Sequence, residues 1–222
     1  MDLLFLLDFL RNLAANNHKA WMDEHRADYH RARGVFSSLV QQLLNETQRF
    51  EPALLGLTVP ETMFRINKND RFQQSQEPYK RRMGASLTQG GRHAPRPGYF
   101  IAVEPGETWI GAGKWHPEPA ALARIRQEIH YNGPAFREIR TAAGFQRHFP
   151  DGPQGDRLQR PPKGYDKADP DLEWLKLKDF VVTQSFSDAE VLRPDFVARV
   201  TTAFQAAQPF VRFLDAAMQA PE

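Results

Sequence analysis

Apolar positions recur at helical spacing at both ends of the chain and alternate in its middle. Over residues 2 to 13, Leu3, Leu6, Leu7, Leu10 and Leu13 fall on one face, which predicts a short amphipathic helix. Asn16-Asn17 breaks that pattern and is placed to cap a second helix carrying Trp21, Met22, His25 and Tyr29. From about Ala32, the positions Val35, Phe36, Leu39, Val40, Leu43, Leu44 and Phe50 repeat every three or four residues, predicting a core helix that Pro52 and Gly56 end. Near Val59-Pro60 the period changes. Met63 to Ile66 is apolar at alternate positions and predicts a strand, and Asn67 to Asp70 has turn composition. Pro78 forbids a regular helix, Arg82 to Leu87 reads as extended, and Thr88 to Gly91 as a loop. Tyr99 to Glu104 and Glu107 to Ala112 predict a hairpin about Pro105-Gly106.

Helical spacing returns after Pro117. Leu122, Ile125 and Ile129 share a face, Asn132-Gly133 stops the helix, and Pro134 starts another with Phe136 and Ile139 inward. Pro150 to Pro170 is dense in Pro, Gly and Asp and reads as a long packed crossing. Phe180 to Ser185 predicts a further strand, and Ser187-Asp188-Ala189-Glu190 has the form of a capping box. Asp195 to Met218 predicts a last helix, with Phe196, Val200, Phe204, Phe210 and Phe213 inward and a kink or split at Pro209. The expectation is an α+β fold in one domain spanning 1–222. It comprises a helical part (1–57), an antiparallel meander (58–116), and a helical part with one further strand (117–222).

Composition narrows the chemistry. A chain of 222 residues with 41% hydrophobic content can bury one sizeable core. It has no cysteine, which removes disulfides, thiolate nucleophiles and cysteine-based metal sites. The apolar run Leu3 to Leu7 is flanked by Asp2 and Asp8 and is too short to span a bilayer, so the expectation is a cytoplasmic protein with no membrane partner.

Familiar catalytic signatures are absent. Gly111-Ala112-Gly113-Lys114 has the wrong glycine spacing for a phosphate loop, and Trp115 stands where Ser or Thr follows the lysine. Those glycines instead suit a strand end beside Trp115. Gly84-Ala85-Ser86 lacks the second glycine of a nucleophile elbow. The seven histidines have no metal-ligand spacing, so no metal is expected, and nothing implies a cofactor. Asp169 and Asp171 bracket Pro170 where they suit helix capping.

What stands out is Met63 to Arg96. From Arg65 to Arg96 there are eight cations and only two acids, Asp70 and Glu77. This surplus of six leaves the rest of a +2 chain at −4. Such a surplus is a footprint for phosphate, carboxylate or nucleic acid. Arg65 is expected on the face opposite Phe64 and Ile66, with Lys68 and Arg71 across the turn, and Tyr79 and Lys80 following. Convergence of Arg65, Lys68, Arg71, Tyr79 and Lys80 would bind a small anionic ligand, with or without catalysis. Two alternatives stand beside it. One is a nucleic-acid surface, with Trp115 or Tyr99 available for stacking. The other is a protein-interaction domain in which the same cations are a structural hub, paired with internal acids.

The segment Arg65-Ile66-Asn67-Lys68-Asn69-Asp70-Arg71-Phe72, with Tyr79 downstream, resembles the signature Arg-x-x-Arg-Asp-x-Arg-Phe of a mainly bacterial family, domain of unknown function 2461. Similar stretches are Asn16-Asn17 with Trp21 and Tyr29, and Arg96-Pro97-Gly98-Tyr99. Others are Gly113-Lys114-Trp115 with Pro117 and Pro119, Leu177 to Val182, and Ser187-Asp188. The resemblance implies a single-domain α+β fold and no established activity. This chain departs from the pattern at Lys68 (Arg in the family), Asn69 (Asp) and Gln76 (Lys). Lysine at 68 loses the bidentate fork, and Asn69 removes an acid able to serve as a base.

Overall fold

The computed structural model describes residues 1–68 and 77–219. The expected site residue Arg71, together with Asn69, Asp70, Phe72 and Gln76, lies outside these.

The helical beginning forms as its apolar spacing dictates. Helix α1 (Leu3–Ala15) buries the five expected leucines and Phe9, and the Asp2 carboxylate caps it by accepting from the Phe5 N–H at 3.1 Å. The chain then departs from expectation. The second helix, α2 (Lys19–Glu24), is only one and a half turns long, and α3 runs from Arg26 to Gln48, so Tyr29 belongs to α3. The cap of α2 is His18, whose Nδ1 accepts from Trp21 N–H at 3.2 Å, and not Asn17, whose side chain is engaged elsewhere. Helix α3 buries Phe36, Leu39, Val40, Leu43 and Leu44 and packs on α1. It ends before Pro52, which opens a 3-10 turn (Pro52–Leu54).

The single turn α4 (Val59–Thr62) is closed by a Thr58–Glu61 capping box. Met63 to Ile66 does not form the expected strand. It is extended but holds only isolated antiparallel bridges, Met63 to Ala85 and, just beyond, Asn67 to Tyr79. Strands β1 (Met83–Leu87), β2 (Gly98–Val103), β3 (Thr108–Lys114) and β4 (Phe180–Phe186) form one antiparallel sheet in that order. The β2–β3 turn is the predicted one. Gly106 has φ +79°, and the Thr108 hydroxyl donates to the Glu104 carbonyl at 3.0 Å.

Between β3 and β4 lie α5 (Pro119–Tyr131), α6 (Gly133–Thr141), α7 (Ala143–His148), the irregular crossing, and the turn α8 (Leu172–Leu175). Phe136 is fully buried while Ile139 is half-buried. Asp169 and Asp171 do not cap α8 with their side chains. Asp169 accepts from His130 Nδ1 at 2.6 Å, and Asp171 pairs with Arg137, because both carboxylates are buried and need charged or N–H donors. After β4 come the capping-box turn α9 (Asp188–Val191) and α10 (Phe196–Gln219). Pro209 does not divide α10, which is one helix of 24 residues. Phe204 and Phe210 anchor it on either side of the proline, and both are fully buried.

The chain forms two compact units. The first comprises Met1–His93, Phe100–Ile110 and Ser185–Thr201, and its core is the α1–α3 leucine and phenylalanine set. The second comprises Ala94–Tyr99, Gly111–Gln184 and Thr202–Glu222. Its core is aromatic, with Phe210 6.0 Å from Phe145 and 6.5 Å from Phe136 between ring centroids. Helices cover the sheet within each unit. Helix α3 lies on β1 in the first, and α10 meets β2 in the second through Tyr99 and Phe204 at 5.0 Å. No helix among the described residues is long and apolar enough to cross a membrane.

Candidate functional site

In the first unit, a single asparagine joins the chain's start to the basic stretch. The side chain of Asn17 is buried and reads both backbone groups of Tyr79. Its Nδ2 donates to the Tyr79 carbonyl at 2.9 Å, and its Oδ1 accepts from the Tyr79 N–H at 3.0 Å. This is a two-sided imitation of a β-ladder by a side chain. The segment is held on its other side by backbone bonds, Lys80 N–H to the Ile66 carbonyl at 2.8 Å and Lys68 N–H to the Pro78 carbonyl at 2.9 Å. The two extended segments 63–68 and 77–80 are thereby fixed against the α1–α2 connection. Together with α2 and α3 they enclose a groove of about 360 Å³, lined by Lys19, Tyr29, Ile66, Asn67 and Tyr79 among others.

The expected site residues are distributed around this framework. Arg65 is exposed, with Ile66 buried and Phe64 half-buried, as the alternation requires. Lys80 follows Tyr79, and its ammonium donates to the Arg65 carbonyl at 2.8 Å and lies 5.9 Å from the centre of the Phe64 ring. Burial, then the neighbouring charges of Arg65 and Arg82, push the Lys80 ammonium below the usual lysine range. Neither Arg65 nor Lys80 meets a carboxylate among the described residues. Lys68, by contrast, donates to Glu77 at 3.2 Å, and Arg81 is bonded to the same carboxylate. These two, Arg81 first, hold Glu77 below the ordinary carboxylate range. Tyr79 is 8% exposed and belongs to the groove.

The remaining cations of the stretch have partners far away in sequence. Arg82 reaches Glu104 at 3.4 Å, and Arg92 donates to the Pro60 and Glu61 carbonyls at 2.8 and 3.1 Å. In the second unit, Arg96 forms a two-pronged pair with Asp215. Glu104 and Asp215 thus reduce the local surplus, and among the described residues Arg65, Lys80 and Arg92 meet no carboxylate, Arg92 being held by neutral carbonyls while Arg65 and Lys80 lie together. None of these three cations lines the groove, and sequence reading did not find Asn17 as the clasp of Tyr79 or Lys19 and Tyr29 as lining the groove with it. Asn17 and Tyr29 stand in stretches already noted for their resemblance to the family, which is the one signal that pointed to them.

A second constellation lies in the second unit. Asp179 is buried and accepts from the His116 N–H at 2.7 Å, from the Asp156 N–H at 3.3 Å, and from His116 Nδ1 at 2.9 Å. His116 has φ +45°, and its Nε2 accepts from the Trp115 indole N–H at 2.7 Å. His116 is thus a partner of a buried acid, not the isolated surface residue its spacing suggested. The close approach depends on Gly113 at φ +122°, where a Cβ would collide with the Phe180 carbonyl. Of the two stacking residues considered for nucleic acid, Trp115 is 55% exposed, but Tyr99 is 1% exposed and packed against Phe204. Tyr99 is therefore not available to a base, because its inward strand position commits it to the core.

No curated protein and no solved structure matches the chain. A family described as conserved hypothetical protein (DUF2461) matches residues 6–213, spanning the groove, the cationic group and the Asp179 constellation. The chain belongs to this family, domain of unknown function 2461.

Proposed function

We propose that the protein binds a small anionic ligand, phosphate-bearing in our reading, at the cationic group of Arg65 and Lys80 beside the Tyr79 groove. One observation carries this. Lys80 is half-buried and crowded by two other cations, yet it and Arg65 have no carboxylate partner among the described residues. Holding a desolvated ammonium next to guanidinium groups costs free energy in the empty protein, and an oxyanion between them would recover it. The pairing of Lys68, Arg81, Arg82 and Arg96 with acids favours a structural role for those four, so the proposal rests on Arg65 and Lys80. The setting we infer is the bacterial cytoplasm, where phosphorylated metabolites are abundant.

The test is a thermal-shift and calorimetric titration with inorganic phosphate, pyrophosphate and nucleoside monophosphates. A ligand of the folded state raises its unfolding temperature by mass action. Arg65→Ala and Lys80→Met should each weaken binding by about tenfold or more, the loss of one charge-assisted hydrogen bond, without shifting the unfolding midpoint of the free protein. Equal binding by the variants would refute the site. Unfolding of both variants would establish the structural hub instead.

A further inference from the structure

Within the second unit, a groove of about 320 Å³ opens between the end of β3, the first turns of α5 and the last turns of α10. It is distinct from the Arg65–Lys80 group. We infer that it is a second binding site, for a small monocarboxylate with a short apolar tail.

Two cations line it with nothing to hold. Lys114, the last residue of β3, is half-buried and meets no hydrogen-bond or ion-pair partner among the described residues. Burial pushes its ammonium below the usual lysine range, against a weaker opposing pull from Glu118. Arg124, one turn into α5, is half-buried, and its side chain likewise makes no hydrogen bond or ion pair among the described residues. Two cationic side chains in one lining, neither met by a carboxylate or a hydrogen-bond acceptor among the described residues, mark a place for an acceptor that the chain does not supply. Arg96 lines the groove too, but it is spent on Asp215, a pair that builds the wall and leaves the ligand position to Lys114 and Arg124.

Charge and shape select the ligand class. The lining carries three cations, Arg96, Lys114 and Arg124, against two carboxylates, Glu118 and Asp215, so a single negative charge balances it. A phosphate dianion would exceed that balance and face both acids. Ala121 and Met218 form an apolar side to receive a short chain. The volume is at the small end for ligand sites, about ten water molecules' worth at roughly 30 Å³ each.

The experiment is a titration of the full chain with butyrate, followed by amide shifts in nitrogen-15 NMR, with butanol and inorganic phosphate as parallel probes. Saturable shifts at Lys114, Ala121, Arg124 and Met218 with butyrate are expected, with little response to butanol. Lys114→Gln and Arg124→Gln should each weaken butyrate binding by about tenfold while the unfolding midpoint is retained. If one of them fails to fold, the other carries the test. Arg65→Ala should leave butyrate binding unchanged, so this site stands or falls separately from the Arg65–Lys80 proposal. Absence of saturable shifts, equal binding of butanol, tighter binding of phosphate at the same residues, or full affinity in both variants would overturn the assignment.

Discussion

Asn17 ties residues 62 positions apart through one side chain, satisfying a backbone donor and a backbone acceptor that have no ladder of their own. Removing it orphans two buried groups at once, each costing about 1–3 kcal/mol. Asn17→Ala should therefore lower stability by about 2 kcal/mol or more, read as a shift in urea midpoint at unchanged slope. It should also loosen the Tyr79–Lys80 segment, seen as faster amide exchange there than in β2. A loss below about 0.5 kcal/mol would mean that water replaces the asparagine without penalty. The sequence placed Asn17 correctly after the first helix but gave it the wrong task. A capping residue and a long-range clasp have the same local signature, and only the partner tells them apart. The same holds for Asp169 and Asp171, whose flanking of a proline suits caps but whose carboxylates are taken by His130 and Arg137.

At the scale of elements, helices with sustained apolar periodicity were the readable part. Helices α1, α5 and α10 appear where their spacing placed them and α3 does so apart from starting six residues early, because burying one face of a long helix outweighs local preferences. Short elements were less readable. Residues 63–66 alternate as a strand does, yet α4 begins so close before them that only single bridges form. Pro209 is tolerated within α10 because packing on both sides outweighs one lost backbone bond, a cost of about 3 kcal/mol.

The start of α10 also carries a pH dependence. Glu190 closes the α9 capping box and accepts from Arg199 at 2.7 Å. Arg199 first, and then the Ser187 donors, hold its carboxyl down to about 2. A carboxylate depressed in the folded state contributes stability that is fully present above its unfolded value of 4.5 and is lost as pH falls toward about 2. Glu190→Gln should flatten stability against pH within that window and leave it unaltered in shape above pH 6, as measured by urea unfolding at stepped pH. An unchanged acid limb would show that Glu190 has no such linkage.

For the whole molecule, charge is decided by pairing across distance. Counting along the chain gives the segment Arg65–Arg96 a surplus of six, but Glu104 and Asp215 answer two of those cations from elsewhere in the sequence. Among the described residues Arg65, Lys80 and Arg92 meet no carboxylate, and Arg92 is tied to the Pro60 and Glu61 carbonyls, so Arg65 and Lys80 form a group suited to one oxyanion and too small to follow a polyanion. Single-stranded DNA should therefore bind weakly, with a slope of log affinity against log salt of about −2 or shallower. A track along many phosphates would give a far steeper dependence. A slope of about −5 in fluorescence anisotropy would restore the nucleic-acid reading.

By itself the sequence determined the class of fold, the order of its main elements, the hairpin at Pro105-Gly106 and the region richest in cationic side chains. These follow from periodicity, turn chemistry and composition, which act over a few residues. Tertiary structure alone decided which cations are spent and which are left over. It also decided that Tyr99 is core while Trp115 is exposed, and that Asn17 and His116 answer to Tyr79 and Asp179. The physical reason is that a charge or a polar atom finds its partner by distance in space. Residues 96 and 215, or 17 and 79, share no local pattern from which that proximity can be read.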